Sequence, residues 1–386
     1  MKRAFIIGGG IGAVVLIALV VWAYMFFVAK PHTSVESSSN ASFATGATAT
    51  HTTAILYNTE TAGAPIAARV LKELTKRKVI GAVLVAQDSG AVVHFAEAGT
   101  GHLYEVSLSG GSEIRISNTT FPRAYKAVWA PSGNRVALIS ETDTGASLFL
   151  GSLGKDDAGV GKVSGDTISG ATHSPWFSAT SDIFFYARKT AAGTDGISRD
   201  LKTGKETVLF SVPLREVTIQ WEPTPLIVTK ATHSLVGYAY RKNLSTVGAG
   251  GAGLNALSNG ATTLISVATD NALTGIIVTG TSTHALDRGV IPEKCTFADA
   301  ARLICAIPKD INPRNYPDEW YRGEVSYNDT LWSFSPTTGA ATVIVDPTRE
   351  AQKNIDVASF ERTTSAQSLI FINKTDSGLW LLSLPR

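Results

Sequence analysis

The residues best able to do chemistry gather in one stretch, NYPDEWYRGEVSYNDTLWSF, at positions 315–334. It sets Asp318, Glu319, Glu324 and Asp329 close together, among Tyr316, Trp320, Tyr321 and Arg322. Two chemistries could follow. Tyr316, Trp320 and Tyr321 offer flat apolar faces, with Asp318 and Arg322 for directed polar contacts, and these residue types dominate binding hot spots. Alternatively, two of the carboxylates could act as acid and base on a glycosidic bond, although no spacing singles out a pair. A structural outcome competes with both. In it, Trp320 folds back and plugs the molecule, and Arg322 pairs with Asp318 or Glu319.

Other chemistries lack their residues. There is no G-x-S-x-G nucleophile motif and no α/β-hydrolase-sized region. The seven histidines, His32, His51, His94, His102, His173, His233 and His284, never fall within four residues of one another. No H-x-x-x-H metal pair exists, so neither metal nor cofactor is expected. The basic footprint of a nucleic-acid binder is missing too. Without Lys2, Arg3 and Lys30, 31 of the 34 basic residues remain against 32 acidic ones, and Lys76-Arg77-Lys78 is the only basic run.

The elements that must position this stretch read as β. Short alternating or β-branched runs such as VLVA, VVHFAEA, RVALIS, DIFFYA and LIFIN are separated by Gly, Asn, Asp and Ser turns. AARVLKELTKRK at 67–78 is the one helical candidate, and it reads equally well as an edge strand. Trp129, Trp176 and Trp221 recur at blade-like spacing, each before a turn and a second strand, and are expected in the core. A period of roughly 40–50 residues predicts a single all-β propeller over 54–386, seven-bladed by length, with six or eight blades compatible. The blades are expected near 79–117, 127–165, 174–212, 217–260, 262–290, 292–346 and 356–386. The last shows only three strands, and VLKEL at 70–74 could supply its fourth and close the ring.

The opening stretch then falls largely between strands of the sixth blade, as an insertion over about 309–324, while Tyr327, Leu331 and Trp332 rejoin the sheet. Cys295 and Cys305 share KCTFADAARLICAI. A hairpin turning at Ala300 would set them directly opposite, which predicts a disulfide.

APSGNRVAL and FSATSDIFF resemble the W-[ST]-P-[DN]-G units of TolB-like, WD40-like (PD40) propellers. The arrangement PEKC…CAIP…YPDEWYRG…LW resembles membrane-anchored propellers of unknown function from small-genome bacteria. The resemblance implies a propeller and carries no activity with it. NKTDSGLW at 373–380 departs from the sialidase Asp-box, and a plain turn accounts for Asp376.

The N-terminus sets the expected location. Residues 1–3 are a charged tip, and Ala4 to Ala29 run without a charge. As a helix that run would measure about 39 Å, enough to span a bilayer as an uncleaved signal anchor. Lys2 and Arg3 before it, against Lys30 after it, favour a cytoplasmic N-terminus and an extracytoplasmic propeller. Residues 30–53, rich in Ser, Thr and Ala, predict a flexible stalk. The chain is therefore expected to be a membrane-anchored envelope module that binds a protein, peptide or glycan through Tyr316, Asp318, Trp320, Tyr321 and Arg322. A glycan hydrolase or lyase and a purely structural component are the alternatives.

Overall fold

The computed structural model describes residues 71–384, apart from 88–89, 144, 171, 270–271, 313–315 and 364. The apolar run 4–29 and the stretch 30–53 lie outside the described residues. No helix among the described residues is long and apolar enough to cross a membrane.

Among the described residues, seven antiparallel blade sheets follow one another along the chain, with one two-stranded ribbon beside the fourth. Their innermost strands are Val79–Gln87, Ala124–Trp129, Thr172–Phe177, Val217–Gln220, Asn255–Ser258, Cys295–Phe297 and Val357–Phe360. Successive sheets pack side by side through these strands and the first packs on the last, so the ring is a seven-bladed propeller. Apolar clusters fill the space between neighbouring blades. One such cluster joins Ile304, Leu331 and Val345 of blade 6 to Val357, Leu369 and Phe371 of blade 7.

The ring is closed by its ends. Leu71–Thr75 pairs antiparallel with the last strand, Leu71 opposite Leu382 and Glu73 opposite Trp380. Leu74 buries itself on Leu379 and Leu381. The closing strand lies one residue from the VLKEL expected at 70–74. A helix there would have left the outer strand of blade 7 with unpaired backbone groups.

Three expectations need correction. The fifth blade begins at Asn255, inside the segment assigned to the fourth, because Asn255–Ser258 is an inner strand paired with Thr262–Ala268. The fourth blade is consequently short. It has three strands, Val217–Gln220, Leu226–Thr229 and Ala239–Arg241, beside a two-stranded ribbon of Val236–Gly237 and Gly251–Ala252.

The tryptophans also divide. Trp129 and Trp221 are buried, and their indoles donate to the carbonyls of Gly81 at 3.2 Å and Ser174 at 2.6 Å on the inner strand of the preceding blade. At the position matching Trp129 opposite the second strand, blade 3 carries Phe177, which faces Phe184 as Trp129 faces Val136. Trp176 is one residue out of step. Because side chains alternate along a strand, it turns to the other face of the blade, where it packs half-buried against the cluster of Val217, Ile219 and Trp221 that joins blades 3 and 4.

Trp176 also meets Arg362, whose guanidinium lies 4.5 Å from the ring centroid and donates to Phe177 O at 2.5 Å. Arg362 also approaches Glu222 to 3.7 Å. Arg362 belongs to blade 7 and its partners to blades 3 and 4, so this contact crosses the central channel and narrows it at one end.

Candidate functional site

In a meander of antiparallel strands, the link between second and third strands shares a face with the link to the next blade. The sixth blade places its insertion on that face, between Leu303–Pro308 and Asp329–Phe334. A short helix, Asp318–Arg322, follows Pro317 and ends at Gly323, whose φ of 77° is the left-handed conformation glycine tolerates at a helix C-terminus. The insertion folds inward. Tyr316, Trp320 and Tyr327 pack with Ala268, Leu273 and Ile291. Tyr327 thus belongs to this cluster and precedes the strand it was expected to join.

Beneath it lies a fully buried ionic centre. Lys294 ends a 3-10 turn, Pro292–Lys294, just before the inner strand of blade 6. Its Nζ donates to both oxygens of Asp329, at 2.9 and 2.7 Å, and to Asp356 Oδ1. All three side chains are 0% exposed. Further donors complete the carboxylates. Val357 N–H reaches Asp329 Oδ2 at 2.7 Å and Tyr327 N–H reaches Asp356 Oδ2 at 3.0 Å. Trp320 Nε1 donates to Asp356 at 3.2 Å. Its ring lies 5.3 Å from the Lys294 ammonium and 5.1 Å from that of Lys374. Burial pushes Asp329 up to about 6, against the pull of Lys294.

Above it opens a cleft of about 930 Å³ that runs down the channel from the mouth under the insertion. Pro317, Asp318, Tyr321 and Arg322 form one wall, and Glu216, Lys230, Asn255 and Glu293 are among the residues on the others. Tyr321 is 52% exposed. Part of its ring packs on Trp320, centroids 5.4 Å apart, and its hydroxyl accepts from Asn255 Nδ2 at 3.0 Å. Asn255 Nδ2 donates as well to Glu293 Oε1. Asp318 Oδ2 accepts from the His233 amide at 3.2 Å, tying the insertion to blade 4.

Glu293 is the unusual group here. Its Oε2 and the Tyr316 hydroxyl are both buried, and the two groups adjoin each other. Burial pushes its carboxyl up to about 7, outweighing Asn255, Tyr316 and Lys294, all of which pull it down.

The five residues singled out from the sequence therefore separate. Asp318, Tyr321 and Arg322 line the cleft, whereas Tyr316 (0% exposed) and Trp320 (4%) are buried and present no face to a ligand. Arg322 pairs with Glu324, at 2.6 Å, and not with Asp318 or Glu319. Asp329 serves the ionic centre. Lys294, Glu293, Asn255 and Asp356 were not anticipated. Each sits at the mouth end of an inner strand, and the only signal was a charged or amide residue where such a strand begins. Cys295 and Cys305 lie directly opposite in the hairpin and their sulfurs are bonded. Asp376 closes a turn by accepting from Gly378 N–H at 2.8 Å and Asn373 Nδ2 at 2.9 Å. No group of three or more His, Cys, Asp or Glu side chains suited to a metal occurs among the described residues.

No family model matches the chain, and no curated protein does. Solved structures share its fold. The β-propeller domain of the Trilobed protease from Pyrococcus furiosus, described as having an open velcro topology, aligns with TM-score 0.50 at 10% identity, over 79% of this chain and 95% of that one. U3-55K aligns with TM-score 0.50 at 9% identity, over 83% and 100%. At such identities the likeness extends to the fold alone. This chain differs from an open ring in that Leu71–Thr75 completes its last blade.

Two outcomes are expected. Lys294→Met leaves two buried carboxylates facing each other and should cost about 3–5 kcal/mol in urea unfolding. A change below about 1 kcal/mol would mean that water enters the centre. Glu293 adds a pH dependence. Its folded form keeps the proton above the ordinary 4.5, so the native state binds more protons than the unfolded chain between about 4.5 and 7. Its stabilising protonation is complete at the low end and lost as pH rises through 7. Glu293→Gln should therefore flatten the fall in Tm from pH 5 to about 8, whereas parallel profiles would show a solvated, charged carboxyl.

Proposed function

We propose that this chain is a single-pass membrane protein whose propeller, held outside the cytoplasm by the anchor 4–29 and the stalk 30–53, binds an envelope glycan or protein through the channel-mouth cleft. One observation carries the reading. A cleft within the size range of ligand sites is walled by the exposed Tyr321 with Asp318 and Arg322, while Trp320 and Tyr316 hold that wall from behind. The resemblance to TolB-like, WD40-like propellers and to membrane-anchored relatives supports the same reading. So does the Cys295–Cys305 bond, which suits an oxidising compartment.

A second reading, a glycan-processing enzyme, is favoured by Glu293 and Asp318. They share the cleft with Arg322, and Glu293 is shifted in the direction a general acid needs. In the binding reading the cleft holds its ligand unchanged.

The two parts of the proposal are tested separately. In intact cells, protease added from outside should degrade the propeller and spare a tag fused ahead of Met1, and a protected propeller would place it in the cytoplasm. Binding of the full chain to envelope glycan and peptide arrays should fall at least tenfold with Tyr321→Ala at nearly constant Tm. Trp320→Ala should instead lower Tm by several degrees. Unchanged binding in Tyr321→Ala would move the site away from this cleft.

A further inference from the structure

Resting on the reading of the cleft as a ligand site, we propose that its occupant is a neutral saccharide unit, gripped by side chains between the Tyr321 ring and the polar edge formed by Asn255, Glu293 and Asp318. The first argument concerns the backbone. A peptide joining a sheet needs a free row of N–H and C=O groups. Inside this cleft the channel-facing edge of blade 5 is already occupied. Gln220 Nε2 donates to Ala256 O at 2.5 Å, and Gln220 Oε1 accepts from Ser258 N–H at 2.9 Å. Asn255 Oδ1 takes the Ala256 N–H at 2.7 Å. Recognition is left to side chains.

The side chains present a mixture that hydroxyl groups answer. Tyr321 accepts from Asn255, which leaves its hydroxyl proton to donate outward. Glu293 and Asp318 both line the cleft as acceptors, Glu293 through Oε1 from Asn255 and Asp318 through Oδ2 from one amide. A sugar hydroxyl both donates and accepts, so adjacent hydroxyls can satisfy a donor and an acceptor placed side by side. Near neutral pH Glu293 can also meet a hydroxyl in either role, since burial pushes it up to about 7. The half-exposed Tyr321 ring supplies the flat apolar surface that the carbon face of a sugar ring covers.

Charge excludes the main competitor. Three carboxylates, Glu216, Glu293 and Asp318, face two cations, Lys230 and Arg322. Arg322 is already paired with Glu324 and Glu216 with Lys189. A phosphate or polyanion would bring its charge against carboxylates with little compensation, whereas a neutral ligand meets no such cost.

The test uses the full chain in micelles of an amine-oxide detergent, so that no sugar headgroup competes. Chitobiose and cellotriose are titrated calorimetrically beside trialanine and inorganic phosphate. At least one saccharide should bind, about fivefold more weakly in Tyr321→Phe, which removes one hydrogen bond, and more than tenfold more weakly in Tyr321→Ala. Glu293→Gln, which keeps the shape and the Asn255 contact but removes a carboxylate acceptor, should weaken binding severalfold and abolish its pH dependence near 7. If trialanine or phosphate binds and the saccharides do not, and Tyr321→Ala abolishes it, the cleft is a ligand site but the saccharide inference fails. Saccharide binding that ignores both Tyr321 variants overturns it as well. If no probe binds, the cleft reading falls with it.

Discussion

The face of this propeller that carries the insertion depends on the buried contact of Lys294 with Asp329 and Asp356. The three residues come from the start of blade 6's inner strand, its third strand and the start of blade 7's inner strand. An ammonium without water needs its charge matched and its protons placed, and this arrangement of strand ends does both. The insertion is recruited through the same centre. Asp356 accepts from Trp320 Nε1 and from Tyr327 N–H, so the loop folds inward to complete the coordination of a carboxylate that belongs to the sheet. Hydrophobic packing on Ala268, Leu273 and Ile291 adds stability, and the hydrogen bonds to Asp356 add position.

That centre acts within a ring that cannot relax independently. Leu71–Thr75 completes blade 7, so the blade supplying Asp356 is held by both the first and last described strands. At the opposite end of the channel, Glu361 accepts from the Ala82 amide of blade 1 and Arg362 reaches Phe177 of blade 3. Blade 7 is thereby tied across the ring as well as to its neighbours. The cleft opens at the insertion end of the channel, beside blades 4 and 5. There the fourth blade is reduced to three strands and Gln220 spans the gap to the fifth.

How much of this could be read from the sequence follows from which interactions are local. The Cys295–Cys305 register was legible because a hairpin fixes pairing by its turn, and Phe297 opposite Leu303 follows from the same count. The closing strand was legible because blade 7 lacked a partner and VLKEL had none. Trp176 misled in part, since spacing in the sequence does not distinguish a residue from its neighbour on the opposite strand face, and a shift of one moved it from full burial to a half-buried place between blades 3 and 4 that also meets Arg362. The fifth blade's inner strand was lost for a similar reason: Asn255–Ser258 is short, polar at its ends and preceded by glycines, so it resembled the tail of blade 4. Lys294, Glu293 and Asp356 were illegible in principle. A lysine before a strand ordinarily faces water, and only the meeting of three chain segments far apart in sequence removes the water from this one.

The opening stretch was posed as a choice between site and plug, and the helix geometry dissolves that choice. Adjacent residues of a helix point about 100° apart. Trp320 and Tyr321 sit on the same short turn, so burying one over Asp356 turns the other outward over the cleft. Had the chain offered only a surface aromatic, an insertion of this length would have carried the entropy of a mobile loop into every binding event. Anchoring Trp320 and Tyr316 in the molecule removes that entropy in the unbound state, and Tyr321 inherits a fixed position from its neighbours. The plug and the cleft wall are thus one device: Tyr316 and Trp320 fix the turn from inside, and Tyr321 is held exposed by it.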